Sequence, residues 1–264
     1  MIKTLDAKLL IEHGTYSAED IENVQRISLC IARGESDKLS FEDKLKFVNF
    51  LFLTSTYFDG HFSIQFVYDA MRNIDKDCCK IIDAIRGDDS SISDFVGYKY
   101  PCQGSLNPDA LGALFSLKKS HKYVDVGCGW GDNGIDVVKK IGCETYFVDP
   151  NAYNVRAVYE KMYREGLFGN AKIKVLLAKI QQANLGESSF DRAYLASTLG
   201  LSSSECALQI IRGTLRLMKK GGIAAISGYT MPQVKLEKVS EDCVFEENYS
   251  KCNGFPVRTM CRIK

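Results

Sequence analysis

The run from Val124 to Gly134, VDVGCGWGDNG, constrains the fold more than any other stretch of the chain. It follows the strand-like residues YVDV and opens a segment in which Ile135, Val138 and Ile141 recur at helical spacing, so it is a turn carrying a strand into a helix. A side chain at Gly127 or Gly129 would occupy the space where backbone meets a ligand. The helix start beyond presents N–H groups with no partner inside the helix. Downstream, strand-like runs alternate with helical ones. The strands expected are YVDVG (123–127), TYFVD (145–149), IKVLLA (173–178), DRAYLAS (191–197) and GIAAIS (222–227). Val155, Val158, Tyr159, Met162 and Tyr163 mark one intervening helix face, and Leu208, Ile211, Leu215 and Met218 another. This alternation predicts crossover connections and an α/β fold with a doubly wound, mostly parallel sheet.

The first hundred residues read differently. Ser17 with Asp20 and Ser40 with Asp43 have capping-box spacing. The first is followed by Ile21, Val24, Ile27 and Ile31, the second by Phe41, Leu45, Val48 and Phe52, and a further helix is expected around Cys78, Ile81, Ile82 and Ile85. The turn-rich stretch 87–108 separates this helical region from the α/β region, with the boundary placed near 105: residues 1–105 helical, residues 106–264 the ligand-binding domain. Asn107 with Pro108 predicts a helix running to Lys119. At the other end, residues 242–249 and 256–263, joined at Gly254, can form an antiparallel hairpin that completes a seven-stranded sheet.

Two ligand classes compete for the loop, because Gly129, Gly131 and Gly134 also satisfy GxGxxG, the dinucleotide fingerprint. Asp125, two residues before Gly127, separates them: a carboxylate there complements a cation and repels a pyrophosphate. A plainer role for Asp125, accepting N–H bonds from the loop, stands beside this one. Asp149 ends the second strand 24 positions later, where an acid can accept both hydroxyls of a ribose. On these residues the chain resembles the class I, Rossmann-like S-adenosylmethionine-dependent methyltransferases. The resemblance continues through FDRAYLAST and LRLMKKGG and runs from Tyr123 to Ser227. It implies S-adenosylmethionine as cofactor, with Gly127, Cys128 and Gly129 along its methionine part, Asp149 at the ribose, Pro150 and Ile180 near the adenine, and Asp125 and Ala196 completing the site. The chain departs from the family at Ala178-Lys179-Ile180, where an acidic residue often reads the adenine amino group.

The resemblance implies a methyltransferase acting on a small molecule or a protein by in-line displacement. It singles out no catalytic acid or base. Ser197-Thr198-Leu199-Gly200 lacks the Pro-Pro-aromatic motif of enzymes that methylate bases in nucleic acids, and Pro101-Cys102 stands before the cofactor loop, away from the place of a cytosine nucleophile. A formal charge of +1, from 34 basic and 33 acidic residues, gives no net attraction to nucleic acid either. The ten cysteines contain no CxxC, so no metal is expected. The opening residues MIKTLDAKLLIEHG lack a continuous apolar core and the apolar run at 47–52 is too short to span a bilayer, so reduced thiols, a cytoplasmic location and no membrane partner are expected. The N-terminal helices are expected to cover the carboxyl ends of the strands and select the acceptor. Two alternatives stay open: a catalytically inactive methyltransferase-like binding module, and an NAD(P)-dependent oxidoreductase.

Overall fold

A computed structural model describes residue 10 and residues 13–54, 75–86, 116–196, 198–199, 204–227, 243–246, 251–252 and 255–263. The chain divides into two compact units: Met1–Tyr100 with Pro150–Gly169, and Pro101–Asp149 with Asn170–Lys264. The boundary expected near 105 falls outside the described residues, as does the Pro101-Cys102 pair.

The first unit is helical. Helix α1 (Ala18–Ala32) starts at Ser17, whose hydroxyl accepts the Asp20 N–H while the Asp20 carboxylate accepts the Ser17 N–H, a complete capping box. Helix α2 (Phe41–Thr54) begins with the same reciprocal pair, Ser40 and Asp43. Helix α3 (Lys76–Arg86) follows Asp75, whose Oδ1 accepts the N–H groups of Asp77 and Cys78. Helix α4 (Asp132–Lys140) belongs to the other unit. Helix α5 (Ala152–Arg164) joins this one, capped by Asn151, which accepts the Tyr153 N–H. α1 packs on α2, and α2 on both α3 and α5. The apolar interior includes Val24 and Ile27 from α1, Val48 from α2, Ile81 from α3, and Val155 and Met162 from α5. Thr15 and Tyr159 share a hydrogen bond, and Tyr16 meets Phe50 edge-on. Tyr163, read from the sequence as part of the apolar face of α5, is 40% exposed: it sits at the end of the helix, with an edge contact to Phe168.

The second unit is the sheet. Its strands are β1 (Lys122–Val126), β2 (Glu144–Asp149), β3 (Ile173–Leu177), β4 (Phe190–Ala196), β5 (Met218–Ser227), β6 (Cys243–Glu246), β7 (Lys251–Cys252) and β8 (Phe255–Ile263). The order is β3-β2-β1-β4-β5-β8-β6, with β7 beside β8. The first five strands in that order run parallel; β8 lies antiparallel to β5, and β6 antiparallel to β8. Helix α6 (Ser204–Leu217) precedes β5, and its Ile211 joins a core with Val124, Val148, Leu195 and Ile226.

Two sequence expectations change here. Met218 opens β5 and does not extend the face of α6. Met218 pairs with Phe190 and Ile223 with Arg192, so 219–222 bulge out of the register, with Gly221 at φ +76. The Lys219 ammonium in this bulge reaches the Asp191 carboxylate at 3.0 Å. The helix expected to reach Lys119 is absent from 116–119, where the chain turns at Ser116 with φ 47; the rest of it lies outside the described residues.

Candidate functional site

The direction of winding reverses between β1 and β4, which are neighbours although β2 and β3 lie between them in sequence. In open α/β sheets the crevice beyond the carboxyl ends of two such strands takes the ligand. Gly127 leaves β1 there and Thr198 follows β4. The Thr198 hydroxyl donates to the Val126 carbonyl at 2.8 Å and to the Ala196 carbonyl at 3.2 Å. Gly127 has φ +64, and a Cβ built on it would stand 2.5 Å from the Thr198 side chain. Any other residue at 127 would clash and be strained. Thr198 was not singled out in the sequence, because only the β1–β4 adjacency brings it to the loop.

The loop is stitched to the end of β2. Gly127 and Cys128 donate to the Val148 carbonyl at 2.8 and 3.3 Å, and Gly129 donates to Asp149 Oδ2 at 2.9 Å. Cys128 is buried, and its carbonyl accepts the Gly131 N–H at 2.9 Å, closing a turn with Gly129 and Trp130 at its corners. Trp130 stands 38% exposed on this turn. Helix α4 then starts directly over the sheet. A Cβ on Gly134 would run into the Phe147 ring of β2, so glycine is what allows this approach.

Asp125 lies in β1 below the start of α4, 1% exposed. Its Oδ2 accepts the Gly134 N–H at 3.2 Å, and its Oδ1 has no hydrogen-bond partner. Burial pushes this carboxyl up to about 7, against the pull of the Gly134 N–H, and the nearby carboxylates Asp149 and Asp132 push in the same direction as burial. The plainer role expected for Asp125, accepting an N–H of the loop, is filled by one oxygen only. Asn133, in the first turn of α4, is 4% exposed with Oδ1 unpartnered. The sequence did not mark it, since an Asn in a first helical turn reads as a solvated residue.

Asp149 is 4% exposed, and its carbonyl accepts the Ala178 N–H, tying the start of the β3–β4 connection to β2. Pro150 follows Asp149 in the chain and opens the segment grouped with the helices. Ile180 is buried in a cluster with Val148 and Leu199, and Ala196 in one with Tyr123, Tyr194 and Ala225. Among the described residues no group of three or more His, Cys, Asp or Glu could hold a metal ion, and no helix is long and apolar enough to cross a membrane. Cys30, Cys78 and Cys143 carry free thiols.

Sheet order, glycine turn and switch point define a doubly wound, Rossmann-like ligand-binding domain. Residues 124–222 match the family model of a methyltransferase domain. The chain is similar to sterol 24-C-methyltransferase of Gibberella zeae, with 29% identity over 125 residues that make up 47% of this chain and 32% of that one. It is also similar to demethylmenaquinone methyltransferase of Protochlamydia amoebophila, with 24% identity over 135 residues, 50% of this chain and 54% of that one. The chain thus spans 32% and 54% of the lengths of these curated relatives. A solved S-adenosylmethionine-dependent methyltransferase from Aquifex aeolicus superposes with a TM-score of 0.49 at 19% identity, covering 69% of this chain and 97% of that one.

Proposed function

We propose that this chain transfers a methyl group from S-adenosylmethionine to a small-molecule acceptor. The observation that carries the reading is the acid pair around the glycine loop: Asp149 on the Gly129 N–H, and Asp125 buried with one oxygen unsatisfied. Such a site fits a cofactor with an adenosine ribose at one end and cationic groups at the other, and opposes a pyrophosphate. When bound, the cofactor supplies a methyl group on a sulfonium, already activated for in-line displacement.

The backbone at Gly127, Cys128 and Gly129 would hold the methionine part, and Asp149 the ribose hydroxyls. Pro150 and Ile180 would flank the adenine, with Ala196 at the floor of the crevice. Alignment and exclusion of water then make up most of the catalysis, and a general base is needed only if the acceptor carries a proton at the reacting atom. A small molecule is preferred as acceptor because the curated relatives are named for a sterol and for demethylmenaquinone. The seven-stranded sheet with a C-terminal antiparallel hairpin belongs to the same reading, supported by the pairing of β6 and β8 beyond β5. So does the cytoplasmic location, which rests on the free thiols.

Calorimetric titration with S-adenosylhomocysteine tests this. Micromolar binding is expected, lost in Asp149→Ala while the variant still melts cooperatively. Binding of NADH in place of S-adenosylhomocysteine would overturn the assignment in favour of an oxidoreductase.

A further inference from the structure

The two halves of the doubly wound sheet part at their carboxyl ends. The register of β1 with β4 runs from Tyr123 opposite Arg192 to Asp125 opposite Tyr194 and ends there. On their outer sides both strands stay paired for longer: β1 with β2 as far as Val126 opposite Val148, and β4 with β5 as far as Ala196 opposite Ser227. Beyond Val126 the chain keeps to the β2 side, with the Gly127 and Cys128 N–H groups both on the Val148 carbonyl. Where the β1–β4 ladder stops, the strands separate, and in such sheets the gap is the ligand crevice.

The half-buried side chain of Thr198 crosses that gap. Its hydroxyl reaches the Val126 carbonyl of one half at 2.8 Å and the Ala196 carbonyl of the other at 3.2 Å. A hydroxyl has a single proton, so the two carbonyls share it in a three-centre bond. Both branches of the side chain are engaged: a Cβ on Gly127 would stand 2.5 Å from the Thr198 methyl and 2.5 Å from its oxygen. Thr198 therefore straddles the α-carbon at which β1 turns into the glycine loop. Two heavy atoms on Cβ make threonine stiff about χ1, which suits a strut between two strands.

We propose that Thr198 is a positioning residue for the cofactor: its hydroxyl clasps the parted ends of β1 and β4 and so fixes the glycine loop, Gly127 to Gly129, at the spacing the cofactor requires. It acts through the backbone of Val126 and Gly127. With its proton held on backbone carbonyls, the hydroxyl braces the crevice and does not serve the acceptor as acid or base. The inference rests on the cofactor reading above and adds to it a residue from the far side of the switch point.

The test is calorimetry with S-adenosylhomocysteine on the full chain, beside thermal unfolding and amide hydrogen exchange. Thr198→Val keeps the shape of the side chain and puts a methyl where the two carbonyls need a donor. It should bind about tenfold more weakly than wild type. The amides of 127–131 should exchange about tenfold faster, with those of α1 unchanged. Thr198→Ser keeps the donor and should bind within about threefold of wild type, the difference reflecting its looser χ1. A threonine needed only for folding would lower the melting temperature of Thr198→Val and leave its affinity and loop exchange where they were, which overturns the proposal. Thr198→Ser binding no better than Thr198→Val overturns it too, because the methyl and not the hydroxyl would then carry the effect. Should Thr198→Val fail to fold, Thr198→Ala against Thr198→Ser decides between the same outcomes. A wild type that does not bind S-adenosylhomocysteine overturns the cofactor reading and this proposal together; a wild type and Thr198→Val that bind equally well overturn the proposal alone.

Discussion

The two units treat buried charge in opposite ways. In the helical unit, Lys44, with its side chain 8% exposed, lies 2.9 Å from Asp75 and 3.0 Å from Asp77. Arg156 pairs with Glu160 at 2.9 Å along α5. In the α/β unit, Asp125 is more deeply buried and has acids for neighbours. Charges matched inside the protein hold helices together; the Asp125 carboxyl has one N–H, from Gly134, on one of its two oxygens.

The largest effect is expected from breaking the matched side. Lys44→Met leaves Asp75 buried without its cation and should cost about 3–5 kcal/mol of stability in denaturant unfolding. Burial works against both ionised groups, yet their hydrogen bonds hold Asp75 below and Lys44 above their ordinary ranges. The pair therefore contributes fully between those two limits. Its contribution fades as pH falls through the lowered Asp75 value, or rises through the raised Lys44 value.

The unmatched side should respond with the opposite sign. A folded carboxyl raised to about 7 binds a proton that the unfolded chain has already lost, so the ligand-free protein loses stability as pH climbs from the ordinary carboxylate range toward 7 and no further above it. Asp125→Asn keeps the acceptor for Gly134 and removes that penalty. Its melting temperature at pH 8 should rise by about 4–8 °C over wild type, with little gain at pH 4. A destabilised variant at pH 8 would break the comparison. The smallest effect belongs to a matched but accessible pair in the α/β unit: Lys219, 43% exposed beside Asp191, should lose only about 0.5 kcal/mol on change to Ala, and less in high salt.

Much of this was legible in the residues alone, for reasons that also explain what was not. Capping boxes are local, so Ser17–Asp20 and Ser40–Asp43 could be read by spacing and are found in place. The glycine turn was legible because positive φ and close approach narrow the choice of residue, as at Gly127 and Gly134. Helix α5 shows the limit. Periodicity indicated an apolar face but not its partner, and Asn154 and Arg156 are buried beside Val155 and Met162, so the helix is covered over a wider arc than its stripe suggested. Thr198 and Asn133 escaped notice because what places them is long-range: one needs the β1–β4 neighbour relation, the other the seating of α4 on β1.

Trp130 is the chain's single tryptophan, and it stands on the turn between Gly129 and Gly131. Intrinsic emission excited beyond the absorption of tyrosine therefore comes from one corner of one loop. Quenching, polarisation and lifetime of that indole record the state of the glycine turn without any attached label, and give the chain a built-in optical probe of its own loop.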